Sequence, residues 1–497
     1  MRSCIAIIDI GSNSARLVIY ERSSTYGFHL ICERKSKVRI GEGAYEKNGH
    51  LQKAGIERAY LALKEFISTT KHYPIDKILC VATSALRDAP NGLDFTSWIK
   101  TQLNLDIEII DGKKEAYFGA VAAKNLLPIK NGITIDIGGG SSDIALLKDS
   151  QIIATYSLNI GTVRLKELFF DKNRPINEAR NFIQQELEKL PKEFKNKQVI
   201  GIGGTARTLS KAIMKAERYP FNNIHAFEYN IDTHLEYFRN ISEAKPNLLK
   251  YLYIPKGRFD TIREGALIWE ELILHVSAKK VITSGVGVRE GVFLADLLKD
   301  SNLQFPKNIN PSMQSILDRF DVHHINTEKR IQNSKKLFKV FFNAGKIKNN
   351  HLKELLYATE LSEIGYKLNI YKTYEHAFYV AMQEFNYAIT HKELVLTAML
   401  LRFGGNDLYE KRIYKQYKKL LPKKETFEFL SFIYTLTTTL YDQTALKDFD
   451  FSFKDNQLTI IAEGSLYLVK EKLKEIEKPK ELKLEIFDKQ KVPPYSF

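Results

Sequence analysis

Cysteine is scarce in this chain of 497 residues, which has three cysteines and no Cys-x-x-Cys pair. Three thiols cannot build the disulfide framework of a secreted domain, so the composition predicts a reducing, cytoplasmic environment. Long apolar runs are also absent, since no stretch approaches the roughly eighteen apolar residues of a membrane-spanning helix. The apolar run at residues 5–8 meets Asp9 at once and is too short for a signal peptide. We therefore expect neither secretion nor a membrane segment.

Acidic residues are in the minority, because 74 Lys and Arg against 59 Asp and Glu leave a formal net charge of +15. A basic chain favours polyanionic partners such as nucleotides, nucleic acid, polyphosphate or an anionic membrane surface, and charge alone does not choose among them. Hydrophobic residues make up 44% of the chain and charged residues 27%, which is typical of a soluble globular protein. The length is enough for roughly three to four domains.

An internal repeat is the most informative feature. Residues 7–14 (IIDIGSNS) and 134–142 (TIDIGGGSS) each bring an aspartate, at the end of a β-rich run, to a turn of small residues. A second β-rich run follows each copy, at residues 17–20 and 144–147, so both copies are predicted to be β-hairpins with exposed tips. Two such hairpins predict two similar lobes.

A second pair of elements keeps the same order. Residues 78–87 (ILCVATSALR) and 199–209 (VIGIGGTARTL) each predict a strand, a turn of small residues and a helix, a geometry that directs backbone N–H groups and a helix dipole at an anion. Together the four elements predict a phosphate chain held between the lobes, although each turn alone is equally consistent with a plain tight turn. The candidate phosphate-binding residues are Gly11, Ser12, Asn13, Ser14, Arg16, Thr83, Ser84, Gly138, Gly139, Gly140, Ser141, Ser142, Gly204 and Thr205.

The chain is predicted to divide into four parts. The first lobe covers residues 1–128 and ends at Pro128, and the second lobe covers residues 129–304 and ends before an Asn-rich linker flanked by prolines. Residues 305–444 show helical periodicity, and residues 445–497 combine short alternating runs with one mixed-charge helix.

Six motifs, in order, resemble those of the exopolyphosphatase / guanosine pentaphosphate phosphohydrolase (Ppx/GppA) family over roughly the first 300 residues. They lie at residues 9–17, 82–87 with Asn91, 112–116, 136–142, 158–164 and 284–291. The resemblance implies an α/β fold of two actin-like (ribonuclease H-like, ASKHA) lobes, followed by an all-helical HD-like domain and a small α+β module. It also implies a homodimer that hydrolyses terminal phosphoanhydride bonds of inorganic polyphosphate or of pppGpp, with no membrane and no specific nucleic-acid partner.

Glu115 and Arg87 are the candidate catalytic residues. Phosphoanhydride hydrolysis needs an oriented water and a group that accepts its proton. Glu115 is predicted to begin a helix just after a strand, at a corner that faces the cleft, and the family's usual pair of acidic residues is here Lys114-Glu115. Arg87, which matches an arginine of the family motif, is placed to bind a phosphate group. The alternatives are a glutamate that complements a helix dipole and a solvated surface arginine.

Asp9, Asp136 and Asp143 are the candidate ligands of Mg²⁺ or Mn²⁺, because Mg²⁺ prefers one or two carboxylates together with water and phosphate oxygens. The family usually has glutamate where this chain has Asp143, so the shorter side chain is expected to act through an additional water. Turn capping is the alternative for Asp9 and Asp136. Arg164, Arg207 and Arg289 are candidate ion-pair residues around the site.

The helical part resembles the HD-type phosphohydrolase fold in longer family members, but Ser362-Glu363 stands where His-Asp is expected. We therefore expect no HD-type metal catalysis, since a metal needs several converging ligands. The other histidines of the region are scattered, at His323, His324, His351, His376 and His391.

Residues 411–424 (KRIYKQYKKLLPKK) contain seven basic residues and no acidic residue, with tyrosines interleaved. A solvated lysine-rich helix is one interpretation, and a track for a long polyanion is the other. The track would consist of Lys411, Arg412, Lys415, Lys418 and Lys419.

Two other functions are compatible with the pattern. An ATP-dependent sugar-kinase or Hsp70-like ATPase is one, because residues 203–207 (GGTAR) also resemble the adenosine-side loop of Hsp70-type proteins. A sensor that binds polyphosphate or an alarmone without turnover is the other. The sequence does not separate polyphosphate from pppGpp as a substrate.

Overall fold

The structure is a computed structural model that describes residues 3–44, 47–321, 327–404, 410–442 and 448–488. The chain forms two compact units, Met1–Pro311 and Ser312–Phe497. Among the described residues, no helix combines the length and the apolar composition needed to cross a membrane.

The first lobe contains a five-stranded sheet with the order β3-β2-β1-β4-β5. Its strands are β1 (Ser3–Ile10), β2 (Ala15–Arg22), β3 (Phe28–Ser36), β4 (Ile75–Ala82) and β5 (Glu108–Ile109). The helices that follow in this part of the chain are α1 (Lys53–Thr70), α2 (Ser84–Arg87), α3 (Gly92–Leu103) and α4 (Gly112–Leu126). Strand β1 is buried along most of its length, as a nearly continuous apolar run predicts for a strand covered on both faces.

The second lobe contains a six-stranded sheet with the order β10-β11-β9-β6-β7-β8. Its strands are β6 (Gly132–Ile137), β7 (Ser142–Lys148), β8 (Gln151–Leu158), β9 (Gln198–Ile202), β10 (Glu228–Asn230) and β11 (Lys280–Thr283). Its helices are α5 (Thr162–Leu165), α6 (Ile176–Leu187), α7 (Gly203–Ala216), α8 (Leu235–Glu243), α9 (Ile262–His275) and α10 (Val288–Leu297). One π-helical turn spans Lys166–Phe170, and short 3₁₀ turns lie at Pro246–Leu252, Lys256–Arg258 and Lys299–Ser301.

Strand pairing confirms the predicted repeat. The first hairpin pairs β1 with β2 and places Asp9 opposite Arg16, and the second pairs β6 with β7 and places Asp136 opposite Asp143. In each lobe a further strand, β4 or β9, runs parallel to the first hairpin strand and leads into a helix. The two predicted strand-turn-helix elements are therefore confirmed as well.

Helix α4 connects the two lobes. It precedes the predicted lobe boundary at residue 128, yet its alanine face packs on the sheet of the second lobe. Helix α10 packs against it at Gly291, where a Cβ atom would lie 1.9 Å from the carbonyl oxygen of Phe118. On its other side α10 contacts the first lobe, because Phe293 stacks on Tyr20 with ring centroids 4.5 Å apart and the Tyr20 hydroxyl donates to Glu290 Oε1. The lobe boundary predicted at residue 128 therefore does not separate two independently packed groups of elements, because α4 precedes it in the chain and packs on the sheet of the second lobe.

The C-terminal unit is helical as far as Asp442 and ends in a three-stranded sheet with the order β12-β13-β14. Its helices are α11 (Pro311–Phe320), α12 (Thr327–Asn343), α13 (Leu352–Glu360), α14 (Thr373–Glu384), α15 (His391–Arg402), α16 (Lys411–Tyr417), α17 (Lys424–Asp442) and α18 (Tyr467–Glu475). Its strands are β12 (Phe449–Lys454), β13 (Gln457–Ala462) and β14 (Lys483–Asp488). A 3₁₀ turn lies at Ile364–Lys367 and another at Lys418–Leu420.

The helices and the small sheet of this unit share a core. The ring of Phe341 on α12 lies 5.2 Å from the ring of Phe453 on β12 and 5.2 Å from the ring of Phe429 on α17. The two parts predicted at residues 305–444 and 445–497 therefore pack together in one compact unit. The HD-like character of the helices stays a prediction, and His323 and His324 lie outside the described residues.

His225 ties the end of α4 to the second lobe. Its Nε2 atom lies 2.7 Å from the carbonyl oxygen of Leu126, and its Nδ1 atom accepts from the Gly285 N–H. Because Nδ1 is an acceptor, the ring is neutral and carries its proton on Nε2. Burial lowers the pKa of His225 to about 4.

This pKa predicts a loss of stability in acid. An unfolded histidine titrates near pH 6.5, so only the unfolded state takes up this proton as the pH falls from about 6.5 towards 4. At pH 5 the free energy of unfolding should be lower by about 2 kcal/mol from this group alone. Urea denaturation at pH 8 and pH 5, followed by the fluorescence of Trp98 and Trp269, should give a change in the free energy of unfolding that is less favourable by about 2 kcal/mol in the wild type than in His225→Gln, because the other titrating groups are the same in both proteins. Equal changes between pH 8 and pH 5 in both proteins would contradict the assignment.

Candidate active site

The two hairpin tips meet in the first unit. Each tip closes with the same bond, since the Gly11 N–H donates to the carbonyl oxygen of Ser14 and the Gly138 N–H donates to that of Ser141. A Cβ atom on Gly139 would lie 3.1 Å from Cβ of Ser12, so the tips of the two lobes are in contact. The duplicated turns thus converge on one place.

A cavity of about 200 Å³ lies at this meeting point. Its walls contain most of the residues predicted from the sequence. Those that line it are Asp9, Gly11, Ser12, Asn13, Ser14, Arg16, Thr83, Ser84, Glu115, Asp136, Gly138, Gly139, Ser141 and Gly204.

Three of the predicted phosphate-binding residues support the turns from behind and are not among the lining residues. The carbonyl oxygen of Gly140 accepts from Arg164 Nε, and the buried Ser142 hydroxyl donates to the carbonyl oxygen of Ile160. Thr205 is buried in the first turn of α7. Small residues mark a turn in the sequence, but they do not tell which of its faces meets the cavity.

Glycine at position 203 allows the close approach of α7 to Asp136. Its φ of +79° lies in the left-handed region, and a Cβ atom there would lie 2.0 Å from Asp136 Oδ1. Either condition alone favours glycine. The start of α7 is therefore built around the aspartate of the second hairpin.

Glu115 lies in the first turn of α4, which begins at Gly112 and not at Glu115 as the sequence predicted. The Asp111 side chain caps the helix by accepting from the Lys114 N–H. Glu115 Oε2 is buried and has no hydrogen-bond partner among the described residues. The nearest cation is Arg87, whose Nη1 lies 3.6 Å away. A buried carboxylate oxygen without a donor is available to accept a proton or a hydrogen bond from a water.

Arg87 does not line the cavity but lies behind Glu115. Its Nε donates to Asp88 Oδ1, and its Nη1 donates to the carbonyl oxygen of Ile110. Asp88 in turn lies 3.7 Å from Arg164 Nη2, so one carboxylate links the two arginines. Arg87 is therefore held by Asp88, by the Ile110 carbonyl and by Glu115, and it takes no part in the cavity wall.

Four carboxyl groups share this buried region. Burial raises the pKa of Glu115 well above its usual range, and repulsion from Asp143, Asp136 and Asp9 adds to the effect, while Arg87 opposes it. Burial also raises the pKa of Asp143 to about 7, although the Ser157 hydroxyl donates to it at 2.5 Å.

The two hairpin aspartates follow the same pattern. Burial raises the pKa of Asp136 to about 6, and Arg207 opposes the shift. Burial likewise raises the pKa of Asp9 against the attraction of Arg289 and Arg16. The site favours fewer negative charges than its carboxyl groups carry in water, so a cation in it would restore their ionisation.

The carboxylates of the site fit a hard divalent cation whose remaining coordination positions are filled by water and by phosphate oxygens. Within the described ranges no three His, Cys, Asp or Glu side chains form a ready-made metal cage. Mg²⁺ usually keeps several waters and binds one or two carboxylates together with phosphate oxygens. Asp9 and Asp136 line the cavity, whereas Asp143 is held by the hydroxyls of Ser157 and Ser141.

Four basic residues at or near the site were not predicted from the sequence to line the cavity: Arg207 and Arg289 were predicted only as ion-pair residues around it, and Lys35 and Arg258 were not predicted at all. Arg207 and Arg289 line the cavity, and Arg207 Nε is buried without a hydrogen-bond partner among the described residues. Arg258 lies beside Gly204, where a Cβ atom would be 2.6 Å from its Nη2. Lys35 lies opposite Arg16 in the pairing of β2 with β3, and burial lowers the pKa of Lys35, with repulsion from Arg16 and Arg258 adding to the effect. No motif marks Lys35 or Arg258.

The chain is similar to proteins of one family. The model of the Ppx/GppA phosphatase family matches residues 18–300. A bifunctional 3-dehydroquinate synthase/phosphatase of Fusobacterium nucleatum is 32% identical over 302 residues, which is 56% of this chain and 44% of that protein. The chain thus spans less than half the length of this curated relative.

Solved structures are similar as well. The crystal structure of the Aquifex aeolicus member of the Ppx/GppA family is 26% identical and matches with a TM-score of 0.52, over 61% of this chain and 99% of that chain. An exopolyphosphatase of Cytophaga hutchinsonii is 24% identical and matches with a TM-score of 0.54, over 59% of this chain and 97% of that chain. At 24% identity, the similarity to the Cytophaga hutchinsonii structure is evidence for the fold and not for a shared function. Together they confirm the predicted actin-like α/β fold.

Substituting Gly203 by alanine should destabilise the first unit through its contact with Asp136. Gly43 is a matched control, because its φ is also positive at +74° but the nearest atom to a Cβ there is Gln52 Cγ at 3.7 Å. Both variants incur the cost of the left-handed backbone, and only Gly203→Ala overpacks a buried contact, which typically costs about 1–3 kcal/mol more. Urea denaturation followed by tryptophan fluorescence measures the difference. Equal free energies of unfolding for the two variants would show that Asp136 moves away freely.

Proposed function

Because the chain belongs to the Ppx/GppA phosphatase family, we propose that it hydrolyses terminal phosphoanhydride bonds and releases phosphate from inorganic polyphosphate, from pppGpp, or from both. One observation carries the proposal. A single cavity is lined by both hairpin tips, by the Thr83-Ser84 turn and by Glu115. The buried Oε2 atom of Glu115 has no hydrogen-bond partner among the described residues. Cytoplasmic location and a homodimer are part of the same proposal.

The tips bind the terminal phosphate group. Small residues let phosphate oxygens approach the backbone closely, and concave turns of backbone N–H groups attract anions. Arg16, Arg207 and Arg289 on the cavity wall add full positive charges. These groups stabilise the charge that spreads over the phosphate oxygens during transfer, and such stabilisation is usually the largest contribution to catalysis.

Glu115 orients the attacking water and takes its proton. The water oxygen forms a bond to the terminal phosphorus, the anhydride P–O bond breaks, and the shortened chain leaves with the bridging oxygen. The base must be ionised at the start, so the cations around it matter: Arg87 favours the charged form of Glu115, against burial and the three aspartates. Arg87, which does not line the cavity, is thus proposed to act on Glu115 and not on a phosphate group directly.

We also propose Mg²⁺ or Mn²⁺ as the cofactor. Asp9 and Asp136 are the candidate direct ligands, and Asp143 is proposed to act through a water or through its serine neighbours. When bound, the cation neutralises phosphate oxygens. A carboxyl group that is buried and repelled by its neighbours gains most from such a charge.

Glu115→Gln should lower kcat by at least roughly 100-fold and leave KM nearly unchanged, because the amide cannot accept the proton of the water. The assay is phosphate release from long polyphosphate, pppGpp and ATP side by side, with Mg²⁺ and with excess EDTA. Glu108→Gln is the matched control, since Glu108 is an exposed carboxylate on β5 that pairs with Lys114.

A thermal melt of both variants must accompany the assay. Near-normal kcat in Glu115→Gln would remove Glu115 from the mechanism. A clear preference of the wild type for ATP would favour the kinase-like or Hsp70-like alternative. Full activity in EDTA would contradict the proposed cofactor.

The basic segment of the C-terminal unit is proposed to guide long polyphosphate by charge alone. Lys411, Arg412, Lys415, Lys418 and Lys419 are all exposed on α16 and the 3₁₀ turn that follows it. Tyr414 is buried, and its hydroxyl donates to the carbonyl oxygen of Pro422, so it is not interleaved with these cations.

Replacing the five cations with Gln should raise KM for long polyphosphate roughly tenfold and flatten its salt dependence, because each lost phosphate contact removes counterion release. The effect on pppGpp, which is short, should be small. KM for both substrates at two salt concentrations gives the comparison. Equal small changes for both would support the solvated-helix interpretation.

A further inference from the structure

The first turn of α4 lies on three neighbouring strands of the second lobe. Strand pairing places Asp143 on β7 opposite Asp136 on β6 and opposite Ser157 on β8. Residues directly opposite each other in an antiparallel pair have their side chains on the same face of the sheet. Ala145, two residues after Asp143, packs with the alanine face of α4. Helix α4 therefore covers the face that carries these three polar side chains.

Ser157 is the nearer of the two hydroxyl donors to Asp143. Its hydroxyl donates to Asp143 Oδ1 at 2.5 Å, whereas the Ser141 hydroxyl donates to Asp143 Oδ2 at 3.3 Å. Asp143 is only 3% exposed, and a buried carboxyl group needs hydrogen-bond partners to remain buried. The bond from Ser157 therefore fixes the direction in which the Asp143 carboxyl group points.

Gly112 brings the start of α4 directly onto this pair. A Cβ atom at position 112 would lie 2.2 Å from Ser157 Oγ, 2.3 Å from Ser157 Cβ and 3.1 Å from Asp143 Oδ1. The φ of Gly112 is not in the left-handed region, so the close approach and not the backbone conformation requires glycine here. The contact between Gly112 and Ser157 thus sets the distance between the start of α4 and the sheet.

Glu115 follows Gly112 by one helical turn. Residues three positions apart lie on the same side of an α-helix, so Gly112 and Glu115 share one side of α4. Glu115 lines the cavity together with Asp136, which lies opposite Asp143 in the sheet. A displacement of Gly112 would therefore move Glu115 relative to the cavity.

We propose that Ser157 is a positioning residue for the hydrolysis, which holds Glu115 in place through Gly112 and orients Asp143 through its hydroxyl. This role rests on the proposed function, because it concerns the reaction of Glu115. Ser157 is not among the residues that line the cavity, so it acts through its neighbours. Serine meets both requirements of the position, since it is small enough for Gly112 and carries a donor for Asp143. Alanine meets only the first.

The first test is Ser157→Ala, which keeps the Cβ atom beneath Gly112 and removes the hydroxyl alone. We expect kcat for phosphate release to fall at least roughly tenfold and KM to change less than about twofold, because misplaced catalytic groups slow the chemical step more than they weaken binding.

Ser210→Ala is the matched control. Ser210 on α7 is buried in the same lobe, and its hydroxyl lies 2.7 Å from Thr283 Oγ1, so this variant also loses a buried hydroxyl contact. Its kcat should stay within about twofold of the wild type, since the contact is not beneath α4.

A double-mutant cycle tests the contact between α4 and the sheet. Gly112→Ala adds a Cβ atom against Ser157, and Ser157→Gly removes the two atoms that this Cβ would meet most closely. Gly112→Ala should lower kcat at least roughly 100-fold in the wild-type background and less than about tenfold in the Ser157→Gly background. Its effect on the free energy of unfolding, measured by urea denaturation, should also be smaller in that background. If Gly112→Ala alone does not fold, the double variant should.

Three results would overturn the proposal: the same kcat in Ser157→Ala as in Ser210→Ala, a raised KM at unchanged kcat in Ser157→Ala, or equal effects of Gly112→Ala in both backgrounds. A wild type that releases no phosphate from polyphosphate, pppGpp or ATP would refute the proposed hydrolysis, and this role of Ser157 with it. The unfolding measurements of the cycle are independent of turnover, so they separate a failure of the contact from a failure of the proposed function.

Discussion

The packing of α4 on the sheet of the second lobe is the contact on which the candidate active site depends. Helix α4 follows the strands of the first lobe in the chain, but its alanine face is buried in the second lobe. This arrangement brings Glu115 close enough to Asp143 and Asp136 for their charges to raise its pKa. Gly291 of α10 allows the same helix to be held from a second side, since no larger side chain fits against Phe118. A small shift of α4 would separate Glu115, the proposed base, from the candidate phosphate-binding turns.

The site combines features that are unfavourable for folding. Burying four carboxyl groups near one another costs free energy, and so does leaving Glu115 Oε2 and Arg207 Nε without a hydrogen-bond partner among the described residues. The arginines offset part of this cost. The proposed polyphosphate substrate, with the proposed cation, would supply the remaining acceptors and positive charge, so the arrangement suits the proposed loaded state better than the empty one.

The C-terminal unit shows the same physical principle in a different setting. Arg330 and Glu363 neutralise each other inside the unit, as the arginines of the first unit offset its buried carboxyl groups. Its basic surface helix follows a simpler rule, because Tyr414 faces the core and the lysines face solvent. The alternation of Tyr414 with the basic residues is therefore the ordinary pattern of an amphipathic helix.

The sequence by itself determined the local elements of the active site. Hairpins and strand-turn-helix units depend on the periodicity and turn chemistry of consecutive residues, so Asp9, Asp136 and the tip residues were predictable, and the order of the motifs was enough to identify the family. Tertiary structure alone decided which neighbours those residues have. Arg258 and Lys35 come from segments without a motif, and Ser142 and Thr205 turned out to support the fold behind the cavity. The physical reason is that a side chain's environment is set by packing between distant segments, which no run of neighbouring residues encodes.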